Sequence, residues 1–319
     1  MRISGTLCCA TIVVALAAAP NALAQDTTYT WTGNVNDRWD EPGNWSPNNG
    51  LYPGAADKAI IQGLGLVKVV EAEEVGILQV DSGGELLICK GGKLTMWRKD
   101  GIDSTIDGHL IFAACIDTTG CDAMVELEIA EDLKITGDGG IIVAHACITE
   151  FGQNVVKGKI TSRVTGGTPA LLTLETDPSG SNDFVIRGHI DIQAKLVNNA
   201  SIGVQDATDI LFLSTNSKSG DTADGGEWFA TAGKLQVDVT VTGDAPWDAT
   251  GSDTEVEFNA AIANIGGDVA VANEALLDIN ADFCTTGQLT YSGPVSAQVT
   301  TITVASAKDA SFSGSCSTP

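Results

Sequence analysis

The clearest pattern along the chain is a short run of alternating apolar and polar residues that follows a glycine. Alternation with a period of two is typical of a β-strand with one buried face, and a glycine before the strand suits a tight turn. No long stretch has the spacing of an amphipathic helix, because the best candidates, 260–265 and 271–277, are short. The pattern therefore predicts an all-β chain. The runs begin at Gly84, Gly92, Gly108, Gly188, Gly233 and Gly287.

These runs are unevenly spaced, so the chain is not an array of identical repeats. A solenoid tolerates uneven spacing, because a loop can be inserted at any turn without disturbing the stack. We therefore predict a parallel β-helix with inserted loops at 177–182 and 214–226. The alternative is a pair of antiparallel immunoglobulin-like sandwiches, which favour longer strands at regular spacing. Further strand-like runs lie at 67–70, 77–80, 125–129, 170–175, 210–213, 254–258 and 299–304.

The first 24 residues have the order of a secretory signal peptide. Arg2 supplies a positive start, residues 12–19 form a short apolar core, and Ala22-Leu23-Ala24 provides a cleavage site before Gln25. The apolar core is too short to span a bilayer, and no later stretch is long and apolar enough to do so. We expect a secreted protein, extracellular or at the cell surface, with no transmembrane segment in the mature chain.

Three of the six tryptophans fall within the stretch WTGNVNDRWDEPGNWSPNN, at Trp31, Trp39 and Trp45. One interpretation is a platform on which sugars stack. The other is a cap, because the first coil of a solenoid exposes apolar interior and unpaired backbone that must be covered. Pro42 and Gly43 prevent the stretch from forming one strand, so the tryptophans do not share one face. The cap is the favoured interpretation.

One motif at the N-terminus and one later segment carry a family resemblance. The motif consists of Trp31-x-Gly33, Trp39, Asn44-Trp45-Ser46, Pro53-Gly54 and Asp57-x-Ala59-Ile60-Ile61. It resembles the start of bacterial exported parallel β-helix proteins, namely autotransporter-type adhesins and surface proteins with a C-terminal PEP sorting signal. The later stretches, 194–204, 210–213 and 226–228, are similar to the later coils of those proteins. This chain ends in SGSCSTP, without the sorting signal.

The resemblance implies a right-handed parallel β-helix at the cell surface or in the medium, without catalytic activity. We therefore expect a signal peptide at 1–24, an N-terminal cap segment at 25–62 and a β-solenoid domain at 63–319. The cap residues are expected to be Trp31, Gly33, Trp39, Asn44, Trp45 and Asp57.

The charge balance is strongly acidic, with 17 basic and 41 acidic residues and a formal net charge of −24. Such a surface repels nucleic acid and anionic membranes, so we expect no nucleic-acid partner. It suits cations, and oxygen ligands for Ca²⁺ occur in turns. None has EF-hand spacing, and acidic turn residues commonly just bind turn backbone. No other cofactor is expected. The calcium candidates are Asp177, Asp183, Asp221 and Asp224.

Two of the eight cysteines lie in the leader, which leaves an even number in the mature chain. An even number in an exported chain suggests disulfides, although six cysteines allow 15 connectivities. Cys115 and Cys121 enclose a short turn, and Cys89 with Cys147 and Cys284 with Cys316 would complete one set. A zinc site is disfavoured because there is no C-x-x-C motif. The disulfide candidates are Cys89, Cys115, Cys121, Cys147, Cys284 and Cys316.

Two of the three histidines occupy the same position in the glycine-led run. His109 and His189 follow Gly108 and Gly188, in a position that Glu85, Lys93, Lys234 and Gln288 fill elsewhere. A position that accepts all of these side chains is predicted to face solvent. The chain has no G-x-S-x-G motif and no P-loop. No constellation of catalytic residues is recognisable, so no catalytic residue is assigned.

We therefore expect a secreted structural or adhesive β-helix protein without catalytic activity, whose partner is an extracellular glycan or matrix. The alternative is a carbohydrate-binding or polysaccharide-degrading protein, a polysaccharide lyase or glycoside hydrolase. A groove with convergent acids and an exposed tryptophan would favour the alternative.

Overall fold

The computed structural model describes residues 27–113, 124–144, 146–149, 152–155 and 157–260, and then shorter segments up to 304. Those segments are 262–265, 267–272, 275–280, 283–285, 289–291, 295–297 and 302–304. The expected signal peptide lies outside the described residues. Within them, none of the helices is long and apolar enough to cross a membrane.

The described residues form short strands and two single 3₁₀ turns, Pro42–Asn44 and Thr222–Asp224. The strands are β1 (Thr28–Trp31), β2 (Trp45–Ser46), β3 (Lys58–Ile61), β4 (Leu66–Val69), β5 (Ala72–Val75), β6 (Ile77–Val80), β7 (Glu85–Cys89), β8 (Lys93–Met96), β9 (Ser104–Ile106), β10 (His109–Ala113), β11 (Met124–Ile129), β12 (Leu133–Gly137), β13 (Ile141–Ala144), β14 (Ala146–Thr149), β15 (Gly152–Val155), β16 (Lys157–Ser162), β17 (Val164–Thr165), β18 (Thr168–Pro169), β19 (Leu171–Thr176), β20 (Val185–Gly188), β21 (Ile190–Ile192), β22 (Lys195–Asn199), β23 (Ser201–Val204), β24 (Ile210–Leu213), β25 (Lys218–Gly220), β26 (Glu227–Ala230), β27 (Gly233–Val237), β28 (Val241–Gly243), β29 (Trp247–Thr250), β30 (Thr254–Phe258), β31 (Ile262–Ile265), β32 (Val269–Ala272), β33 (Leu276–Ile279), β34 (Phe283–Thr285), β35 (Leu289–Tyr291), β36 (Val295–Ala297) and β37 (Ile302–Val304).

Three long sheets, named A, B and C, contain nearly all of these strands. Sheet A has 13 strands and sheets B and C have 10 each. From β3 onward, successive sheet strands enter A, B and C in turn, and each pairs in parallel with the strand one coil later. Sheet A contains β1–β3, β6, β9, β12, β19, β22, β25, β28, β31, β34 and β37; sheet B contains β4, β7, β10, β13, β20, β23, β26, β29, β32 and β35; sheet C contains β5, β8, β11, β16, β21, β24, β27, β30, β33 and β36. The predicted all-β fold with a parallel β-helix is confirmed, and the alternative of antiparallel sandwiches is wrong.

The core lies inside the stack, because alternate residues of the coil strands point inward wherever their side chains are described. In-register pairing places equivalent side chains over one another, as in the sheet B column of Leu86, Leu110 and Ile142. Further along the same sheet, the rings of Trp228 and Trp247 stack at 5.0 Å and 15°. Each coil therefore buries its apolar face only against its neighbours, as expected of a solenoid.

The insertions lie partly elsewhere than the sequence suggests. Residues 177–182 form the turn between β19 and β20, as expected. The prediction of an inserted loop over 214–226 is wrong in part, because this stretch contains the coil strand β25 and a 3₁₀ turn. The excursions from the coil are instead the antiparallel hairpins β14–β15 and β17–β18.

Candidate functional site

The three N-terminal tryptophans pack against one another inside the protein, at the end of sheet A. The ring of Trp45 meets those of Trp31 and Trp39 edge to face, with 5.0 Å between centroids in both pairs. The Trp45 Nε1 donates to the Trp39 carbonyl at 2.7 Å, and the Trp39 Nε1 donates to the carbonyl of Pro53 at 3.3 Å. All three side chains are buried, so none is presented to solvent as a sugar platform.

The polar residues of the same motif hold its turns. The Asn44 side chain is fully buried and makes four hydrogen bonds: Oδ1 accepts from the amides of Val35 and Asn36, and Nδ2 donates to Asn36 Oδ1 and the Arg38 carbonyl. Asp57 accepts from the amides of Thr27 and Gly54, both at 3.0 Å. Gly33 has a φ of +61°, a left-handed conformation that favours glycine. These hydrogen bonds fix the backbone of the turns, which is a structural role and not a ligand-binding one.

The three calcium candidates whose side chains are described, Asp177, Asp183 and Asp221, do not form a metal-binding group. Asp177 accepts from the amide and hydroxyl of Ser179, and these hydrogen bonds lower the pKa of its carboxyl. Asp221 accepts from the amide of Ala223 at the start of a 3₁₀ turn, and Asp183 is exposed. The Asp224 side chain lies outside the described residues. In the part of the chain that the structure describes, no three His, Cys, Asp or Glu side chains are grouped to hold a metal ion.

Of the disulfide candidates, only Cys89 has a described side chain. It is buried at the end of β7 and is disulfide-bonded. The side chains of Cys115, Cys121, Cys147, Cys284 and Cys316 lie outside the described residues. Each proposed pairing therefore stays a prediction.

The two histidines of the glycine-led runs differ in environment. His109 on β10 is partly exposed and lies 3.9 Å from a carboxylate oxygen of Glu85. His189, just before β21, is only 5% exposed, so its predicted solvent-facing position is wrong. The residue does lie on the outer side of sheet C. The ring of Phe212 from the next coil packs edge to face against its imidazole, with 6.3 Å between the ring centroids. A neighbouring coil can thus bury an outward position.

His189 borders a cleft of about 290 Å³ on the outer face of sheet C. The cleft spans four coils, because its residues come from β16, β21, β24, β27 and the positions next to them. Gly158 lies at its floor, and a Cβ there would come within 2.7 Å of the Phe112 ring beneath. The lining residues are Lys157, Gly158, Lys159, His189, Asp191, Phe212, Ser214 and Asp238.

The two carboxylates of the cleft already have partners within the protein. Asp191 accepts hydrogen bonds from the Ser214 hydroxyl and from Gln193 Nε2, the latter at 2.6 Å. Asp238 accepts from Gln236 and, at 2.9 Å, from Asn259. These acids are therefore fixed in position and keep further lone pairs for a ligand hydroxyl.

The two lysines of the cleft, unlike its carboxylates, are not held by side-chain partners within the described residues. Among the described residues, neither Lys157 nor Lys159 has an ion pair or a side-chain hydrogen bond. Elsewhere on sheet C the cations are paired: Lys93 and Arg163 with Glu128, and Lys234 with Glu255 and Glu257. The cleft therefore holds two ammonium groups that have no direct ion pair within the described residues, beside the two carboxylates of Asp191 and Asp238.

The surroundings of His189 favour the neutral form of its imidazole. Burial, and after it the charge of Lys157, lower its pKa below the ordinary value, because both disfavour the charged ring. Both ring nitrogens are buried without a hydrogen-bond partner within the protein. A neutral imidazole offers one donor and one acceptor, so His189 can serve a ligand in both ways.

A buried lysine supports the edge of the cleft from inside. Lys218 on β25 points into the stack and is 1% exposed. Its Nζ donates to the carbonyl of Ser214 at 3.0 Å and to that of Asn216. Burial lowers its pKa to about 7. The sequence analysis missed Lys218, although its inward position in a period-two strand was the available signal.

Comparison of the chain with protein-family models, with curated proteins and with solved structures finds no match. The candidate site therefore has to be interpreted from its own chemistry. Within the described residues, the cleft combines two ammonium groups without a direct ion pair, an imidazole without a hydrogen-bond partner, an aromatic ring and two oriented carboxylates.

Proposed function

We propose that this protein is a secreted structural or adhesive β-helix that binds an extracellular glycan or matrix without catalysis. The observation that supports the proposal is the outer face of sheet C, where outward positions recur in register from coil to coil although the side chains differ. Adjacent strands of a sheet lie about 4.8 Å apart, so such a face presents a regular array to an extended partner. The resemblance of the N-terminal motif to exported surface β-helices points the same way.

Fixed side chains make sheet C better suited to recognition than a face of mobile chains. Arg163 donates to Glu128 at 2.6 Å and lies 4.7 Å above the Trp97 ring. Lys93 approaches the same Glu128 at 3.2 Å. Side chains already held by neighbours lose little conformational entropy on binding, which favours association.

The test is binding of labelled, mature protein to extracellular matrix preparations and to a glycan array, with and without Ca²⁺. A matched pair of variants distinguishes the faces: Gln236→Glu adds a negative charge to sheet C, and Thr242→Glu adds the same charge to sheet A. We expect the first to weaken binding and the second to leave it unchanged. Equal effects of both, or no binding to any surface, would contradict the proposal.

The same samples address catalysis. Bound polysaccharide should keep its chain length, with no new reducing ends and no unsaturated products. Steady release of such products would instead establish the alternative of a polysaccharide-degrading enzyme.

A further inference from the structure

We propose that the cleft around His189 binds an acidic sugar, a saccharide unit that carries a carboxylate. The inference rests on the proposed function, since it names the ligand class for the same outer face of sheet C. Four features of the cleft support it: the imidazole of His189, the ammonium groups of Lys157 and Lys159, the ring of Phe212 and the oriented carboxylates.

The first support is that the buried imidazole of His189 has no hydrogen-bond partner within the described residues. Buried side-chain nitrogens in folded proteins nearly always have a hydrogen-bond partner. His189 is more than nine-tenths buried, borders the cleft and has no partner at either nitrogen. Its neutral ring matches a hydroxyl group, which can accept from one imidazole and donate to another acceptor nearby. A polyhydroxylated ligand fits this requirement better than an apolar one.

The second support is the charge of the ligand that the lysines select. Lys157 and Lys159 stand two residues apart on β16, so both side chains project from the same side of the strand. Gly158 pairs with Ile190, so Lys157 and His189 are neighbouring positions across the two strands, and both line the cleft. Neither lysine is paired within the described residues, which leaves them available to one carboxylate.

The third support is the aromatic ring beside the charged groups. Phe212 is half-buried and lies in the same outward column as Lys159 and Asp191, one coil beyond Asp191. An aromatic face can pack against the C–H face of a sugar ring, while Asp191 and Asp238 accept hydrogen bonds from its hydroxyls. Inorganic phosphate or sulfate could use the lysines but would not need Phe212.

The net charge of −24 sets a limit on the size of this ligand. Charges farther than a Debye length, about 8 Å at physiological ionic strength, act weakly on a single sugar in the cleft. A long polyanion would extend over the acidic surroundings and be repelled. A terminal unit or short oligosaccharide is therefore the expected ligand.

The test is titration of the folded mature protein with glucuronate and galacturonate, compared with glucose, the methyl ester of galacturonate, sulfate and phosphate. The chain has only three histidines, so their ring signals in NMR spectra can be resolved, and a His189→Gln variant assigns one of them. We expect a uronate to shift the His189 signal and to leave that of His109 unchanged. The neutral sugar and the ester should bind at least about tenfold more weakly, as expected for a lost charge-assisted contact.

Lysine variants keep the proposal testable if His189 variants do not fold. Lys157→Gln and Lys159→Gln should each weaken uronate binding by roughly tenfold. The matched control is Lys195→Gln, which removes a cation from the outer side of sheet A. The inference would be overturned if the Lys157 and Lys159 variants bound uronate with unchanged affinity. It would also be overturned if no sugar shifted the NMR signal of His189. Equal binding of sulfate or phosphate would show an anion site without sugar recognition and would also overturn it.

The outcomes separate this inference from the proposed function. If matrix binding depends on sheet C but uronates do not bind, only the ligand class is wrong. If uronates bind in the cleft but matrix binding is absent, the site stands and the adhesive function is wrong.

Discussion

The indole nitrogen of Trp45 donates a 2.7 Å hydrogen bond to the main-chain carbonyl of Trp39, and the two rings meet edge to face. This contact ties a strand of sheet A to the segment that covers sheet B, since the amide of Trp39 donates to the carbonyl of Lys68 on β4. The cap is therefore connected to two sheets at once. Its loss is expected to expose the first coil.

Replacement of Trp39 by alanine should lower the free energy of unfolding by about 3–5 kcal/mol, because it leaves a large cavity under the cap. The measurement is denaturant unfolding followed by circular dichroism. Leu64→Ala is the control; this side chain is 98% exposed, so its change should stay within about 0.5 kcal/mol. A folded Trp39→Ala protein of unchanged stability that had lost glycan binding would restore the sugar-platform interpretation.

The buried amide of Asn44 provides a second test of the cap. Asn44→Asp keeps the shape and the acceptor but removes the two donors to Asn36 and Arg38. We expect it to lower the free energy of unfolding by about 1–3 kcal/mol, because buried polar groups are left unpaired. Asn48→Asp is a control on an exposed amide that makes no hydrogen bond within the described residues. Equal melting temperatures of the two variants would argue against a structural role for Asn44.

Gly203 on β23 lies where a neighbouring coil approaches closely. A Cβ at this position would lie 1.9 Å from the carbonyl oxygen of Phe229. Gly203→Ala should therefore destabilise the protein by about 1–3 kcal/mol, since overpacking forces the backbone to shift. At Gly54 the nearest atom to an added Cβ is 3.6 Å away, so Gly54→Ala should be near neutral. Thermal melts of the two variants give the comparison.

Lys218 should make stability depend on pH. Its pKa falls from the ordinary 10.5 to about 7 in the folded protein. Between these values the unfolded chain binds the proton and the folded chain does not, so stability falls as the pH is lowered from about 10 to 7, and is constant below. The slope is at most about 1.4 kcal/mol per pH unit.

Lys218→Met removes this proton linkage, and so the difference in unfolding free energy between the wild type and the variant should change across that pH range. Denaturant unfolding at a series of pH values measures it. Parallel curves for the two proteins would show that the ammonium keeps its ordinary pKa. Lys195→Met, at a surface position, is the matched control.

The predicted signal peptide gives a test that needs no structure. Expression in a secreting bacterial host should give a mature protein that starts at Gln25, as determined by mass spectrometry of the intact chain. An unprocessed chain that retains residues 1–24 in the cytoplasm would contradict the predicted export.

The alternation of apolar and polar residues was sufficient for the fold class. The runs that begin at Gly84 and Gly108 become β7 and β10, which pair in register. The same alternation could not predict that β14 and β15 leave the coil as a hairpin. A strand in an inserted hairpin shows the same local alternation as a strand of the coil. The tryptophan-rich start was expected to be buried, and its three indoles are buried; that they close the open end of the stack stays a prediction.

The cleft was beyond sequence reasoning. His189 and Lys157 are 32 positions apart in the numbering, and parallel pairing between β16 and β21 brings them together. The outward direction of His189 follows from local alternation, whereas its burial depends on Phe212 of the next coil. Lys218 is similar, because the strand pattern gives its inward direction but not the carbonyls of Ser214 and Asn216 that receive it.

The sequence by itself determined the short strands, the turns between them and the acidic surface, because these depend on periodicity, backbone preference and composition. Only the tertiary structure decided which strands lie in register, and therefore which side chains meet across coils. Register depends on how coils of different length stack on one another. The number of residues between two positions therefore does not show whether their side chains meet across coils. The cap of Trp31, Trp39 and Trp45 and the cleft around His189 both depend on such contacts.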